Sequence, residues 1–162
     1  MGVKHIVGVG DMKTSTNPGD VLVTHALGSC LGVAVHDAAA GVGGLLHVML
    51  PQSSINPDKA RANPYMFVDT GVPAFFHRLY DAGAVKRRCV IAVAGGSNVN
   101  GGDGDRFAIG KRNYLVLRKM LWKNGLLIKT EDVGGSIART MYLEIGSGST
   151  WLSTAGREMQ LV

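Results

Sequence analysis

The sequence predicts a mixed α+β fold. Two observations carry that expectation. Short segments rich in Val and Leu are broken by glycine turns, and two other stretches repeat their apolar residues at helical spacing. The order is strands, helix, strand, helix, strands. That order suggests two helices packed on a mainly antiparallel sheet system.

The elements follow in turn. "DVLVTH" (20–25), "CLGVAVHD" (30–37) and "GGLLHVML" (43–50) read as strands, separated by "LGS" and "AAAGVGG". Adjacent short strands with glycine turns favour antiparallel pairing. "PQSSINPDKARANP" (51–64) is the longest polar, proline-containing stretch and reads as a loop. Val68, Val72, Phe75, Phe76 and Leu79 then share one helical face, with Gly83 as the stop and Pro73 as a kink or the true start. "CVIAVAGG" (89–96) is a continuous apolar strand. A second helix runs from about 111 to 123, with Tyr114, Leu117 and Leu121 as its buried stripe and Asn124-Gly125 as its end. "LLIKTEDVGG", "ARTMYLEI" and "STWLS" read as further strands.

At 162 residues the chain fits one domain, with 46% hydrophobic and 18% charged residues, which excludes a disordered chain. No apolar run reaches the roughly 18 residues of a membrane span. The start "MGVKHIVGVGDMK" lacks the features of a signal peptide, so the cytoplasm is the expected location. The net charge of +5 suits an acidic partner surface. The clusters "KRR", "GKR" and "RKMLWK" lack interleaved aromatics, so a solvated helix face is favoured over a nucleic-acid footprint.

Cys30 poses the functional question. It follows the turn "LGS" at the mouth of an apolar strand, whereas Cys89 lies in a continuous apolar run and reads as a small buried hydrophobe. A nucleophilic thiol needs a base, because a free cysteine is mostly protonated at neutral pH. Of His5, His25, His36, His47 and His77, His47 fits best. It lies in the next strand, seventeen positions on, where antiparallel pairing would bring it beside Cys30. A base also needs an orienter. Asp20, Asp37 and Asp58 are open choices from composition, and the Thr24 hydroxyl is another. A buried cysteine and a satisfied core histidine remain the bland alternative. The ligand spacings match no zinc pattern, and no cofactor is expected.

Two glycine-rich motifs remain. "GGSNVNGGDGDR" (95–106) follows a strand as a phosphate loop would, but it holds no P-loop or dinucleotide signature, and Asp103 and Asp105 would repel phosphate. A substrate- or partner-facing loop is the expectation. "IGKRN" (109–113) sets basic residues at a helix start, where they oppose the dipole unless they meet an anion or partner.

Taken together, "VTHALGSCLGVAVHD", "VGGLLHVMLP", "IAVAGGSNV", "IGKRNYLVLRKML", "EDVGGSIART" and a terminal "GS" segment resemble the CheD family of chemoreceptor glutamine deamidases. The resemblance covers nearly the whole chain. It implies Cys30 as nucleophile, His47 as base and Thr24 as orienter. It implies a layered α/β/β sandwich similar to the catalytic domain of the cytotoxic necrotizing factor toxins. The implied reaction converts protein glutamine to glutamate through a thioester, with His47 helping to hold the thiolate. Backbone N–H groups of the Gly28-Ser29-Cys30 turn would bind the oxyanion. The implied partners are the chemoreceptor helical bundle and, where present, the phosphatase CheC. A non-catalytic module that binds CheC or receptors is the alternative. A monomer is the simplest state. Two departures stand out. "THALGSC" replaces the "TLGLGSC" common in the family, setting His25 and Ala26 near the nucleophile, and the glycine-rich loop lacks the family's "GGA-M" pattern.

Overall fold

A computed structural model describes residues 2–98 and 108–162. The strands are β1 (Lys4–Ile6), β2 (Asp11–Ser15), β3 (Val21–Leu27), β4 (Leu31–Asp37), β5 (Val42–Val48), β6 (Val90–Gly95), β7 (Thr130–Val133), β8 (Arg139–Glu144), β9 (Thr150–Thr154) and β10 (Arg157–Gln160). The helices are α1 (Pro57–Ala62), α2 (Val68–Asp81) and α3 (Ile109–Lys123). One sheet has the order β1-β3-β8-β9-β10, the other β2-β5-β4-β6-β7. Among the described strands, β1–β3 and β6–β7 pair in parallel and the other pairs are antiparallel. The architecture is the mixed α+β, mainly antiparallel one that the strand pattern implied.

The layering follows from the alternation of side chains along each strand. On the second sheet, Val33, Val35, Leu46, Val48, Ile91 and Val93 pack against Phe75 and Leu79 of α2 and Leu117 and Leu121 of α3. The opposite face carries smaller residues: Ala34, Ala92 and Ala94 meet Leu22 and Leu27 of β3, and Met141 and Leu143 of β8. Helices therefore cover one face of this sheet and the first sheet covers the other. Big residues fill the helix side and small ones let the two sheets approach. Gly32 is one point of close approach, since a Cβ there would sit 2.9 Å from both Leu27 Cδ1 and Met141 Sδ.

Three features depart from the sequence reading. The proline-containing stretch at 51–64 is not simply a loop: it holds α1 between two 3₁₀ turns, Ser53–Ile55 and Pro64–Met66. The reason lies in its two Asn-Pro pairs. Asn56 accepts from the Lys59 N–H at 3.1 Å and Asn63 from the Tyr65 N–H at 3.1 Å, with a proline next in each case. An asparagine cap followed by proline at the first position starts a helix as well as a turn. Strands β1, β2 and β10 are also new, being short and polar, with little alternation to reveal them. Pro73 lies inside α2, which begins five residues earlier at Val68, so the proline does not mark its start. Positions 99–107 of the glycine-rich loop, Asp103 and Asp105 among them, lie outside the described residues.

Candidate active site

Strand register brings the expected residues together. In the β4–β5 ladder Gly32 pairs with His47, and the last pair is Leu31 with Val48. Paired residues point to the same face, and Cys30 precedes Gly32 by two, so Cys30 and His47 share the face turned to the first sheet. Such diagonal neighbours are about 7 Å apart at Cα, and no hydrogen bond joins the thiol to the imidazole among the described residues. Cys30 is half-buried against the inter-sheet core, and His47 is 1% exposed.

Thr24 meets His47 from across the layers. It lies on β3 in the same inward row as Leu22 and is fully buried. Its Oγ1 is 2.7 Å from His47 Nδ1 and 2.7 Å from the Val7 carbonyl oxygen. The carbonyl only accepts, so the hydroxyl donates to Val7 and must accept from the imidazole. That places the proton on Nδ1 and leaves Nε2 with its lone pair. Nε2 is buried and has no hydrogen-bond partner among the described residues. The arrangement supplies a neutral base with its tautomer fixed.

Burial sets the charge state of both groups. Loss of solvent pushes the Cys30 thiol upward, opposed by its own backbone N–H. The same loss lowers His47 to about 4. The pair at rest is thus neutral thiol and neutral imidazole, not thiolate and imidazolium. Cys89 hydrogen-bonds the Val85 carbonyl at 3.5 Å, and burial pushes its thiol up to about 11.

The other candidates lie elsewhere. Asp20 accepts from Ser15 Oγ and the Val3 N–H and contacts His5 Nε2. Asp37 accepts from the Val85 N–H and Arg88, and Asp58 pairs with Arg61 on the surface. None orients His47. His36 bonds the Ile145 carbonyl at 2.7 Å, while His25 and His77 are exposed. At the turn, the Gly28 N–H is taken by the Ala26 carbonyl at 2.9 Å. The Cys30 N–H faces its own thiol, and neither it nor the Ser29 N–H donates to a backbone carbonyl among the described residues. Among the described residues, no group of three or more His, Cys, Asp or Glu could hold a metal ion.

Several supporting residues escaped the sequence reading. The Gly96 N–H donates to the Cys30 carbonyl and the Ser97 N–H to the Gly28 carbonyl, both at 2.8 Å. Ser97 Oγ donates to the Ile137 carbonyl at 2.6 Å and accepts from Arg139 Nη1 at 2.8 Å. Arg139, almost fully buried, also bonds Asp132 at 2.9 Å and the Gly134 carbonyl at 2.9 Å. The "EDVGGSIART" motif thus buttresses the loop that grips the Cys30 turn. Asn113, on the first turns of α3, donates from one amide nitrogen to the Ser29 and Met49 carbonyls, each at 3.0 Å. Its only sequence signal was its place in "IGKRN".

Fold and site together define a class: an α+β protein with a thiol and a neutral, tautomer-locked imidazole on one sheet face, the ingredients of nucleophilic acyl chemistry. Comparison with known proteins gives the family. The model for CheD chemotactic sensory transduction matches residues 49–154, a span that begins after Thr24, Cys30 and His47. A probable chemoreceptor glutamine deamidase CheD of Solibacter usitatus is 49% identical, over 97% of this chain and 92% of its own. Its counterpart CheD 1 of Syntrophus aciditrophicus is 47% identical, over 93% and 94%. CheD 2 of Anaeromyxobacter dehalogenans is 42% identical, over 88% and 89%. The chain belongs to the CheD family.

Proposed function

We propose that this protein deamidates glutamine side chains of chemoreceptors to glutamate, with Cys30 as nucleophile, His47 as proton carrier and Thr24 as its orienter. The observation that carries the reading is the Val7–Thr24–His47 chain, which leaves a neutral Nε2 free on the face shared with Cys30. The names of the relatives supply the substrate class.

The steps balance as follows. His47 Nε2 takes the thiol proton as sulfur attacks the carboxamide carbon, and a C–S bond forms. The oxyanion is held by the Ser29 and Cys30 N–H groups, not by Gly28, whose N–H is engaged. Nε2–H then protonates the amide nitrogen, the C–N bond breaks, and ammonia leaves a thioester. Water attacks next, with Nε2 accepting its proton. The C–S bond breaks, glutamate departs and the thiol regains its proton. Because both groups start neutral, His47 acts as a general base from the outset and does not stabilise a preformed thiolate. The same acyl chemistry would serve receptor methyl esters.

The substrate on this reading is the helical bundle of a chemoreceptor's cytoplasmic part. Each turnover replaces a neutral amide with a carboxylate and so alters repulsion between neighbouring helices. The +5 charge favours approach to such an acidic surface. CheC is a second partner where an organism has it, and a likeness to the cytotoxic necrotizing factor catalytic domain belongs to the same reading. Among the described residues, no helix is long and apolar enough to cross a membrane.

The test is peptide mass spectrometry on a receptor cytoplasmic fragment incubated with the protein or its Cys30→Ala form. Conversion of specific glutamines by the parent protein alone is the expected result. No conversion by either would sink the enzyme and favour a binding module directed at CheC or receptors.

A further inference from the structure

We infer that Asn113 is a positioning residue that fixes the nucleophile turn against the strand carrying the base. The inference rests on the deamidase reading for its kinetic test but not for its chemical one. Asn113 is 0% exposed and sits on α3, away from Cys30 and His47 in sequence. The β4–β5 ladder stops at the pair Leu31–Val48. One step further the two backbones would face each other at Cys30 and Met49, and here the ladder gives way to a side chain. The two N–H donors of the Asn113 amide reach the carbonyl of Ser29, which precedes the nucleophile, and that of Met49, two residues past the base, each at 3.0 Å.

The two partners fix the orientation of the amide. Turned over, it would set Oδ1 against two carbonyl oxygens, so the nitrogen must face them. Oδ1 points the other way, buried and without a partner among the described residues. An unpartnered buried oxygen is unfavourable, and an apolar residue would avoid it. Asparagine is retained at that cost, because it alone of the small side chains offers two coplanar donors spanning the gap between two carbonyls. Its effect is to let the Cys30 turn leave the sheet, freeing the Ser29 and Cys30 N–H groups from the ladder, while the spacing of thiol and imidazole stays fixed. Serine gives one donor, and aspartate gives one only when protonated.

The experiment compares Asn113→Leu and Asn113→Asp with the parent protein. Asn113→Leu is expected to lower kcat on the receptor fragment by about a hundredfold, with KM within about twofold, as a misplaced reacting group does. Its Cys30 should also react with iodoacetamide as slowly as the thiol of His47→Ala protein. Asn113→Asp keeps the volume and should fold even if the leucine form does not. Its carboxyl, buried against two carbonyls, has its pKa raised, so it donates only at lower pH. Its activity and its Cys30 labelling, each relative to the parent, should fall by about tenfold or more from roughly pH 5 to 9. The inference is overturned if kcat and labelling in both variants match the parent while only the melting temperature drops. It is also overturned if the aspartate form shows a flat ratio across that range. Should the parent protein deamidate nothing, the deamidase reading fails, and the labelling ratios still decide the role of Asn113.

Discussion

Thr24→Val removes one hydroxyl and leaves two groups without a partner, the Val7 carbonyl and the His47 Nδ1–H. Each unpaired buried group costs about 1–3 kcal/mol, so with two of them chemical denaturation should show a loss of about 2–6 kcal/mol. Activity should fall further than stability explains, because the imidazole loses its fixed tautomer, whereas Thr24→Ser should retain most of both. Wild-type kcat in the valine variant would remove Thr24 from the mechanism. The pH profile offers a second test. On the proposed mechanism His47 acts as a neutral base, and burial lowers its pKa to about 4. The acid limb of kcat/KM is therefore expected near pH 4, with little loss between 7 and 5. A limb near 6.5 would mean that the imidazole is solvated in the working enzyme. At this scale the sequence exposed Cys30 and His47 by type and spacing. The choice of Thr24 over Asp20, Asp37 and Asp58 came from the resemblance, because nothing in composition says which oxygen faces a ring nitrogen.

The β3 strand carries the site's local irregularity. Its pairing with β8 slips between Thr24 and Leu27, and Ala26 within the slip adopts φ +57. A residue with a Cβ is disfavoured there by about 1–2 kcal/mol, against the roughly 0.5–1 kcal/mol of extra chain entropy that glycine loses. Ala26→Gly should therefore raise stability by about 0.5–1 kcal/mol, read as a higher denaturation midpoint, and it restores the glycine of the family's "TLGLGSC". An unchanged or lower midpoint would mean that the bulge relaxes without strain. Gly95 presents the reverse case. It has φ +105, and a Cβ there would run into the Cys30 carbonyl oxygen. Gly95→Ala should cost both stability and kcat, since backbone must shift under the nucleophile, and retention of kcat would show that the turn yields freely. Strands β4, β5 and β6 were legible as short apolar runs bounded by glycine turns, since both of their faces are buried, and helices α2 and α3 because their apolar residues repeat at helical spacing. Strands β1, β2 and β10 were not, because backbone pairing with a neighbour holds them and side-chain pattern does not.

Across the whole molecule, burial of His47 couples folding to pH. The folded pKa near 4 lies below the free value of 6.5, so the unfolded chain binds the extra proton in between. The contribution is present in full above about pH 6.5 and is lost as pH falls toward 4. At the limit it is of the order of 3 kcal/mol. His47→Gln should flatten the fall in melting temperature between pH 6.5 and 4 relative to the parent, and an unchanged slope would assign that fall to other groups. The sheet interface gives a second whole-molecule test. Ala92 lies between the two sheets among Leu45, Met141 and Leu143, so Ala92→Leu should lower stability by about 1–3 kcal/mol through overpacking. Equal stability on thermal melting would mean that the layers can spread.

The sequence by itself determined the α+β class, the strands and helices that form the core, and a thiol and an imidazole placed on one antiparallel strand pair or at its mouth. Those features rest on local chemistry: apolar periodicity, glycine turns and residue type. Tertiary structure alone decided that both groups rest neutral, because desolvation depends on what two sheets and a helix exclude from the site. It alone assigned the Val7 carbonyl, Ser97, Arg139 and Asn113 their places around the turn. Asn113 lies 84 positions from its partner Ser29, and no local rule links residues that far apart. Packing does so, by laying α3 against the end of a ladder whose last hydrogen bonds it replaces.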